Sequence, residues 1–145
     1  MLSLDPINPF VIENIGNCYS LKGLYEQGVA EVKRALSLGA RSTPNALADL
    51  PYVLTRAGKF EEARQAVKEI QEIYEKRGTG AYSLARGYAA IGEKDKALEW
   101  LERAYDEHSP SVEWAAVELN FEVLYSDPRF IKFLEKIGVR GTKAQ

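Results

Sequence analysis

Three stretches of this chain repeat one residue pattern, beginning at Ile15, Leu50 and Leu84, which are 35 and then 34 residues apart. Each stretch has a tyrosine or leucine four positions on, a glycine eight positions on and a glycine or alanine thirteen positions on. The aligned residues are Tyr19, Leu54 and Tyr88, then Gly23, Gly58 and Gly92, then Gly28, Ala63 and Ala97. A period in this range predicts stacked supersecondary units that share one continuous apolar core.

The boundaries of the helices follow from capping residues. Gly23 and its two counterparts predict the end of a first helix in a left-handed residue. Asp127 before Pro128 predicts a helix start, because an aspartate caps free N–H groups and proline lacks one. The pattern predicts helices near 9–22, 24–38, 44–57, 59–77, 79–91 and 93–107, with shorter helical pieces near 110–124 and 128–137. The small residues Gly28, Ala63 and Ala97 are expected where paired helices cross closely.

The repeated pattern resembles the tetratricopeptide repeat (TPR), whose signature is L-G-x2-Y followed by small residues on the second helix. The resemblance implies an all-α fold, a right-handed α-α superhelix of about three TPR hairpins with a C-terminal capping helix. It places TPR 1 at 9–43, TPR 2 at 44–77 and TPR 3 at 78–109. It also implies a protein-protein interaction module that binds a peptide or protein in a concave groove.

Both ends carry further resemblances. Residues 1–8, with Pro9, resemble the junction between two such repeats, so we expect them to be the remnant of a preceding repeat. The Ser126-Asp127-Pro128-Arg129-Phe130 run resembles the terminal motif of TPR arrays in bacterial kinases, adenylate cyclases and winged-helix regulators. The alternative function is therefore the C-terminal sensory or regulatory segment of a larger signalling protein. Residues 110–139 are expected to form a C-terminal helical cap, and 140–145 a tail.

The cap also follows from physical reasoning, since the last unit of a solenoid needs a cover with one apolar and one polar face. The expected apolar face is Trp114, Phe121, Leu124, Phe130, Phe133, Leu134 and Ile137. The expected polar face is Glu113, Glu118, Glu122, Lys132, Glu135 and Lys136.

Composition excludes several classes of function. A formal net charge of −2 and interspersed acidic and basic residues argue against nucleic acid as a partner. No apolar run approaches the roughly 20 residues that cross a bilayer, so we expect no membrane insertion of this segment. Cytoplasmic localisation is expected, or an extracytoplasmic one if the chain is a fragment of a membrane signalling protein.

Residues that could carry chemistry are few. His108, at a predicted helix end, and Cys18, beside Tyr19, are the one histidine and the one cysteine of the chain. Neither has a neighbour that would complete a nucleophile and base pair, and we interpret His108 as structural and Cys18 as a small core residue. We therefore predict no enzyme, no cofactor and no metal; an enzyme would need two titratable groups forced together in a pocket.

The remaining candidate site is the groove lined by the first helix of each repeat. By their match to the repeat register, the groove-facing residues are Phe10, Glu13, Asn17, Asn45, Tyr52, Arg56, Tyr82 and Arg86. Tyrosine and arginine are enriched at binding hot spots, so Tyr52, Arg56, Tyr82 and Arg86 are expected to supply most of the affinity. In chaperone-binding members of the family a clamp of Lys, Asn and Arg grips a terminal carboxylate; Asn17 fits that pattern, whereas other clamp positions do not.

Two further expectations concern the repeats themselves. Pro51 stands inside a predicted helix, where it removes a hydrogen bond to the Leu47 carbonyl, so we expect a kink. We expect Phe10 and Ile12 on the first repeat to be exposed. Exposed apolar side chains favour self-association, which predicts a homodimer through an open N-terminal face.

Overall fold

The computed structural model describes residues 9–38 and 44–138, with side chains from Asn14 and from Ala46 onward in these two ranges, and helices joined by short turns make up these described residues. The α-helices are α1 Pro9–Leu21, α2 Tyr25–Ser37, α3 Pro44–Leu47, α4 Asp49–Arg56, α5 Phe60–Arg77, α6 Ala81–Ala90, α7 Lys94–Asp106 and α8 Pro128–Lys136. Between α7 and α8 lie two 3-10 helices, Pro110–Val117 and Leu119–Leu124. The described ranges contain no strand, and the all-α prediction is confirmed.

The turn inside each hairpin is built in the same way three times. Gly23, Gly58 and Gly92 have φ of 80°, 76° and 82°, the left-handed conformation that glycine adopts without strain, as predicted. The residue after each glycine donates its backbone N–H to a carbonyl five positions earlier, at 2.9 Å in every repeat. These bonds are Leu24 to Tyr19, Lys59 to Leu54, and Glu93 to Tyr88. The repeat is thus a repeat of backbone geometry and not only of residue types.

The first hairpin packs backbone against backbone. A Cβ added at Gly28 would lie 2.2 Å from Ser20 Oγ and 2.8 Å from the Gly16 carbonyl oxygen, so α1 and α2 touch there. Ala63 and Ala97 occupy the equivalent position of the other repeats and are fully buried. The prediction that small residues allow the paired helices to approach is confirmed.

The first helix of the second repeat is interrupted. α3 ends at Leu47 and α4 begins at Asp49, with Ala48 between them. Pro51 carries no N–H, so the Leu47 carbonyl loses its usual helical donor one turn earlier. The helix is therefore interrupted at Ala48, and the kink expected at Pro51 stays a prediction.

One hydrophobic cluster runs from the second helix of the first repeat through the C-terminal cap. Of the predicted apolar face of the cap, four residues are buried and two are half-buried; the buried four are Phe121, Leu124, Phe130 and Phe133, and the half-buried two are Leu134 and Ile137. The prediction was wrong for Trp114, which is 66% exposed. Residues 110–117 form a 3-10 helix, in which positions three apart share a face, and Val112 and Ala115 face the core instead.

The helix α8 is attached by ionic contacts to α7. Asp127 caps α8 by accepting from the backbone N–H of Arg129 at 2.9 Å, as its place before Pro128 predicts. The Arg129 guanidinium also pairs with Asp95 at 2.7 Å, and Lys136 pairs with Glu102. These contacts join the last helix to the third repeat.

The structure describes both residues that were considered for chemistry, Cys18 and His108. Cys18 is exposed, contrary to the expectation of a core residue, because the buried face of α1 is formed by Gly16 and Ser20, two positions away on either side. His108 follows α7 with φ of 57°, a helix-terminating position that glycine usually fills.

Several predicted segments lie outside the described residues: residues 1–8, the junction at 39–43 and the tail 140–145. The repeat boundaries therefore stay predictions.

Candidate partner-binding groove

The eight residues assigned to the groove differ in what the structure describes of them. The side chains of Phe10, Glu13 and Asn45 lie outside the described residues, as does the dimer contact predicted at Phe10. The other five are Asn17, Tyr52, Arg56, Tyr82 and Arg86, and they lie on the first helices of the three repeats. Their role in binding a partner stays a prediction.

A line of polar contacts connects the first helices of all three repeats. Asn17 Nδ2 on α1 donates to Asp49 Oδ1 on α4 at 3.2 Å, and Arg86 Nη2 on α6 donates to the same oxygen at 2.7 Å. Arg86 Nε lies 3.3 Å from Glu118 Oε1, beyond the repeats. Asp49 and Arg86 are buried, and such a pair is stable only while each charge keeps its partner.

Residues Glu118–Leu124, called the 118–124 segment below, cover this face. Asn120 Nδ2 donates to the carbonyls of Ala48 at 3.1 Å and of Arg86 at 3.2 Å. The Phe121 ring meets the Tyr82 ring edge-on, with 5.6 Å between centroids. The segment therefore binds helices of both the second and the third repeat.

The 118–124 segment covers two of the predicted groove residues, and both are buried. Tyr82 and Arg86 are each only 5% exposed and lie beneath the 118–124 segment, and their contact with a partner stays a prediction. Residues from Ala81 to Ala89 are all buried, including those that a two-faced helix would leave in water. Sequence periodicity could not reveal this, because the covering residues lie outside the repeats.

Burial also sets the ionisation of the tyrosines on this face. Burial raises the pKa of Tyr82, and the nearby Glu118 carboxylate raises it further. Burial raises the pKa of Tyr52 as well, while the Arg56 guanidinium opposes the effect. Both rings are therefore neutral at physiological pH and contribute apolar surface with a polar tip.

At the turn end of the groove the arrangement is open to solvent. The Arg56 guanidinium lies over two tyrosine rings, 5.5 Å from the Tyr52 centroid and 5.8 Å from the Tyr25 centroid. Tyr25 is 38% exposed, and Arg56 is partly exposed. Glu122 reaches Arg56 at 3.7 Å but is itself mostly in water. The sequence analysis did not identify Tyr25 as a groove residue. The available signal was its position two residues after the turn glycine, where the second repeat also has an aromatic residue, Phe60.

The comparison with protein families matches this architecture. A family model described as tetratricopeptide repeat matches residues 10–117. The chain belongs to the tetratricopeptide repeat family. TPR units are generally protein-interaction modules without catalytic activity. A search of curated proteins found no match.

The matched residues end at 117, immediately before the 118–124 segment. Among the side chains that the structure describes, no three His, Cys, Asp or Glu residues are placed to hold a metal ion. No helix in the described ranges is long and apolar enough to cross a membrane.

Proposed function

We propose that this TPR module binds a peptide or protein partner on the first-helix face, with its primary contact at the exposed Tyr25 and the partly exposed Arg56, and with the buried Tyr52 ring supporting the guanidinium from beneath. The observation that carries the proposal is the guanidinium held over two tyrosine rings at a solvent-open edge. Arginine and tyrosine are the side chains most often found at the energetic centre of an interface.

The charge at this edge favours an acidic partner. The contact between Arg56 and Glu122 is 3.7 Å long, and the Glu122 side chain is 64% exposed. An exposed ion pair of this kind contributes little, so a carboxylate from a partner can replace Glu122 at small cost. Asn17, already bonded to Asp49, lies farther along the same face and supplies an amide for a backbone contact.

The proposal can be tested by selecting peptides from a displayed random library against the full chain. Selected peptides should lose about thirtyfold in affinity against Arg56→Ala and against Tyr25→Ala, the loss typical of a hot-spot residue. Lys68→Ala, an exposed change on the second helix α5, is the matched control and should bind them as the parent does. Peptides that bind Arg56→Ala and the parent equally would show that this face is not the site.

We propose as a second candidate that the module is a regulatory segment of a larger signalling protein, a kinase, cyclase or transcription regulator. It is favoured by the resemblance at residues 126–130, where Asp127 caps α8 and Arg129 pairs with Asp95 of the third repeat. The length of the native reading frame tests it directly, because a frame with no second domain would exclude this role.

A further inference from the structure

The 118–124 segment contacts the first-helix face as a bound peptide would. It supplies a carboxylate to Arg86 through Glu118, two hydrogen bonds to backbone carbonyls through Asn120, and an aromatic anchor to Tyr82 through Phe121. These are the three kinds of contact that fix charge, position and affinity in peptide recognition.

We propose that the 118–124 segment is an internal ligand, and that the partner of this groove is an acidic peptide with the same spacing, Glu-x-Asn-Phe-Glu. The inference rests on the proposed function and extends it from the open edge at Arg56 into the covered part of the groove. The partner binds where the segment lies and takes its place.

Charge decides which class of peptide can do this. The face presents the cations Arg56 and Arg86, of which Arg86 is also paired with Asp49, and the segment presents the carboxylates Glu122 and Glu118, which are four residues apart. A departing segment leaves both arginines without these partners. An acidic peptide restores both pairs, whereas a basic peptide would place like charges together in a poorly solvated site.

The segment can leave without the rest of the cap. It is a short 3-10 helix, whose hydrogen bonds have poorer geometry than those of an α-helix. The helix α8 has two ionic attachments to α7 that do not involve the segment, Arg129 to Asp95 and Lys136 to Glu102. The Phe121 ring also packs against Phe130 of α8, with 5.9 Å between centroids, and opening exposes that ring. Opening is therefore a local event between Glu118 and the start of α8.

The decisive experiment measures binding of a labelled peptide, residues 116–126 of this chain, to the full-length protein by fluorescence anisotropy. Asn120→Ala in the protein removes both anchoring hydrogen bonds and raises the fraction of open molecules. The apparent Kd for the peptide should fall by about tenfold relative to the parent protein. Lys132→Ala on the exposed face of α8 is the matched control and should not change the Kd.

The peptide provides its own controls. A version carrying Asn120→Ala and a scrambled version should each bind the Asn120→Ala protein at least tenfold more weakly than the parent peptide. Amide hydrogen exchange gives a second measurement on the unaltered protein, in which saturating peptide should speed exchange at 119–124 and leave 129–136 protected.

Several results would overturn the inference. These are equal binding of the parent and scrambled peptides, no gain in the Asn120→Ala protein, or dimerisation of that variant by exchange of the segment between two copies. The proposed function is judged separately. Library peptides that bind through Arg56 would keep it in force even if the peptide of residues 116–126 does not bind.

Discussion

The helices α1 and α6 occupy the same place in the first and third repeats, yet they meet different surroundings. Ile15 on α1 is 43% exposed, whereas Leu84, its counterpart on α6, is fully buried. The helix α6 packs against α4, α7 and the 118–124 segment, and α1 packs against α2 and α4. Repeat position determines backbone geometry, and the neighbours of each repeat determine which face is open to a partner.

Removing the Phe121 ring, which packs against Tyr82 of α6, should have the largest effect on the difference between the two helices. Phe121→Ala should lower the free energy of unfolding by about 3–5 kcal/mol, because the ring is fully buried against Tyr82 and Phe130. Ile15→Ala, on the exposed side of α1, should cost less than about 1 kcal/mol. Urea unfolding of both variants measures the difference, and equal midpoints would show that the segment is not part of the core.

The buried charge on α6 is the next most sensitive feature. Arg86→Ala should cost about 3–5 kcal/mol, because Asp49 and Glu118 lose the guanidinium that neutralises them. Arg64→Ala is the matched control, since Arg64 pairs with Glu61 in water, and it should change stability by under about 1 kcal/mol. Thermal unfolding compares them; an unchanged melting temperature for Arg86→Ala would mean that the ion pair contributes nothing.

The first repeat should instead be sensitive at its glycine contact. Gly28→Ala should destabilise by about 1–3 kcal/mol even though alanine favours helices, because the new methyl group would overlap Ser20 and the Gly16 carbonyl. Hydrogen exchange should locate the loss in α1 and α2 and leave α6 unaffected. Gln27→Ala, one position earlier and exposed, is the control. A Gly28→Ala protein as stable as this control would contradict the close packing.

Alkaline pH provides a smaller effect, to which Tyr82 on the covered face contributes. Burial raises the pKa of Tyr82, so above about pH 10 the unfolded chain loses the proton while the folded chain keeps it. Stability should therefore fall as pH rises, and Tyr82 contributes up to about 1.4 kcal/mol per pH unit. Tyr82→Phe should have a shallower fall in urea titrations between pH 9 and 11. Parallel curves for the two proteins would rule out this origin.

The smallest expected effect lies at the end of α7. His108 holds a left-handed conformation, so His108→Gly should raise stability by about 0.5–1 kcal/mol. Glu107→Gly, at a residue with φ of −81° whose carboxylate accepts a hydrogen bond from the Tyr74 hydroxyl, should lower it instead. Calorimetry of the two variants checks the sign, and a loss in His108→Gly would mean that the imidazole makes a stabilising contact.

Features that depend on local periodicity were predictable from the sequence. The turn at Gly58, the close crossing at Gly28 and the interruption caused by Pro51 each follow from properties of one residue and its neighbours. The accessibility of Arg86 was not predictable, because it depends on Glu118, which lies 32 positions away and outside the repeated pattern. Trp114 was misplaced because the pattern cannot distinguish a 3-10 helix from an α-helix in a short apolar run.

The interruption at Ala48 has a consequence for the alignment of distant parts of the chain. The side chain of Asn120 meets a carbonyl at the break itself and a second carbonyl on α6. A shift of the 118–124 segment by one residue would place Leu119 or Phe121 at these acceptors. Neither side chain can donate a hydrogen bond. The two hydrogen bonds of Asn120 thus fix the register in which the 118–124 segment packs against the second and third repeats.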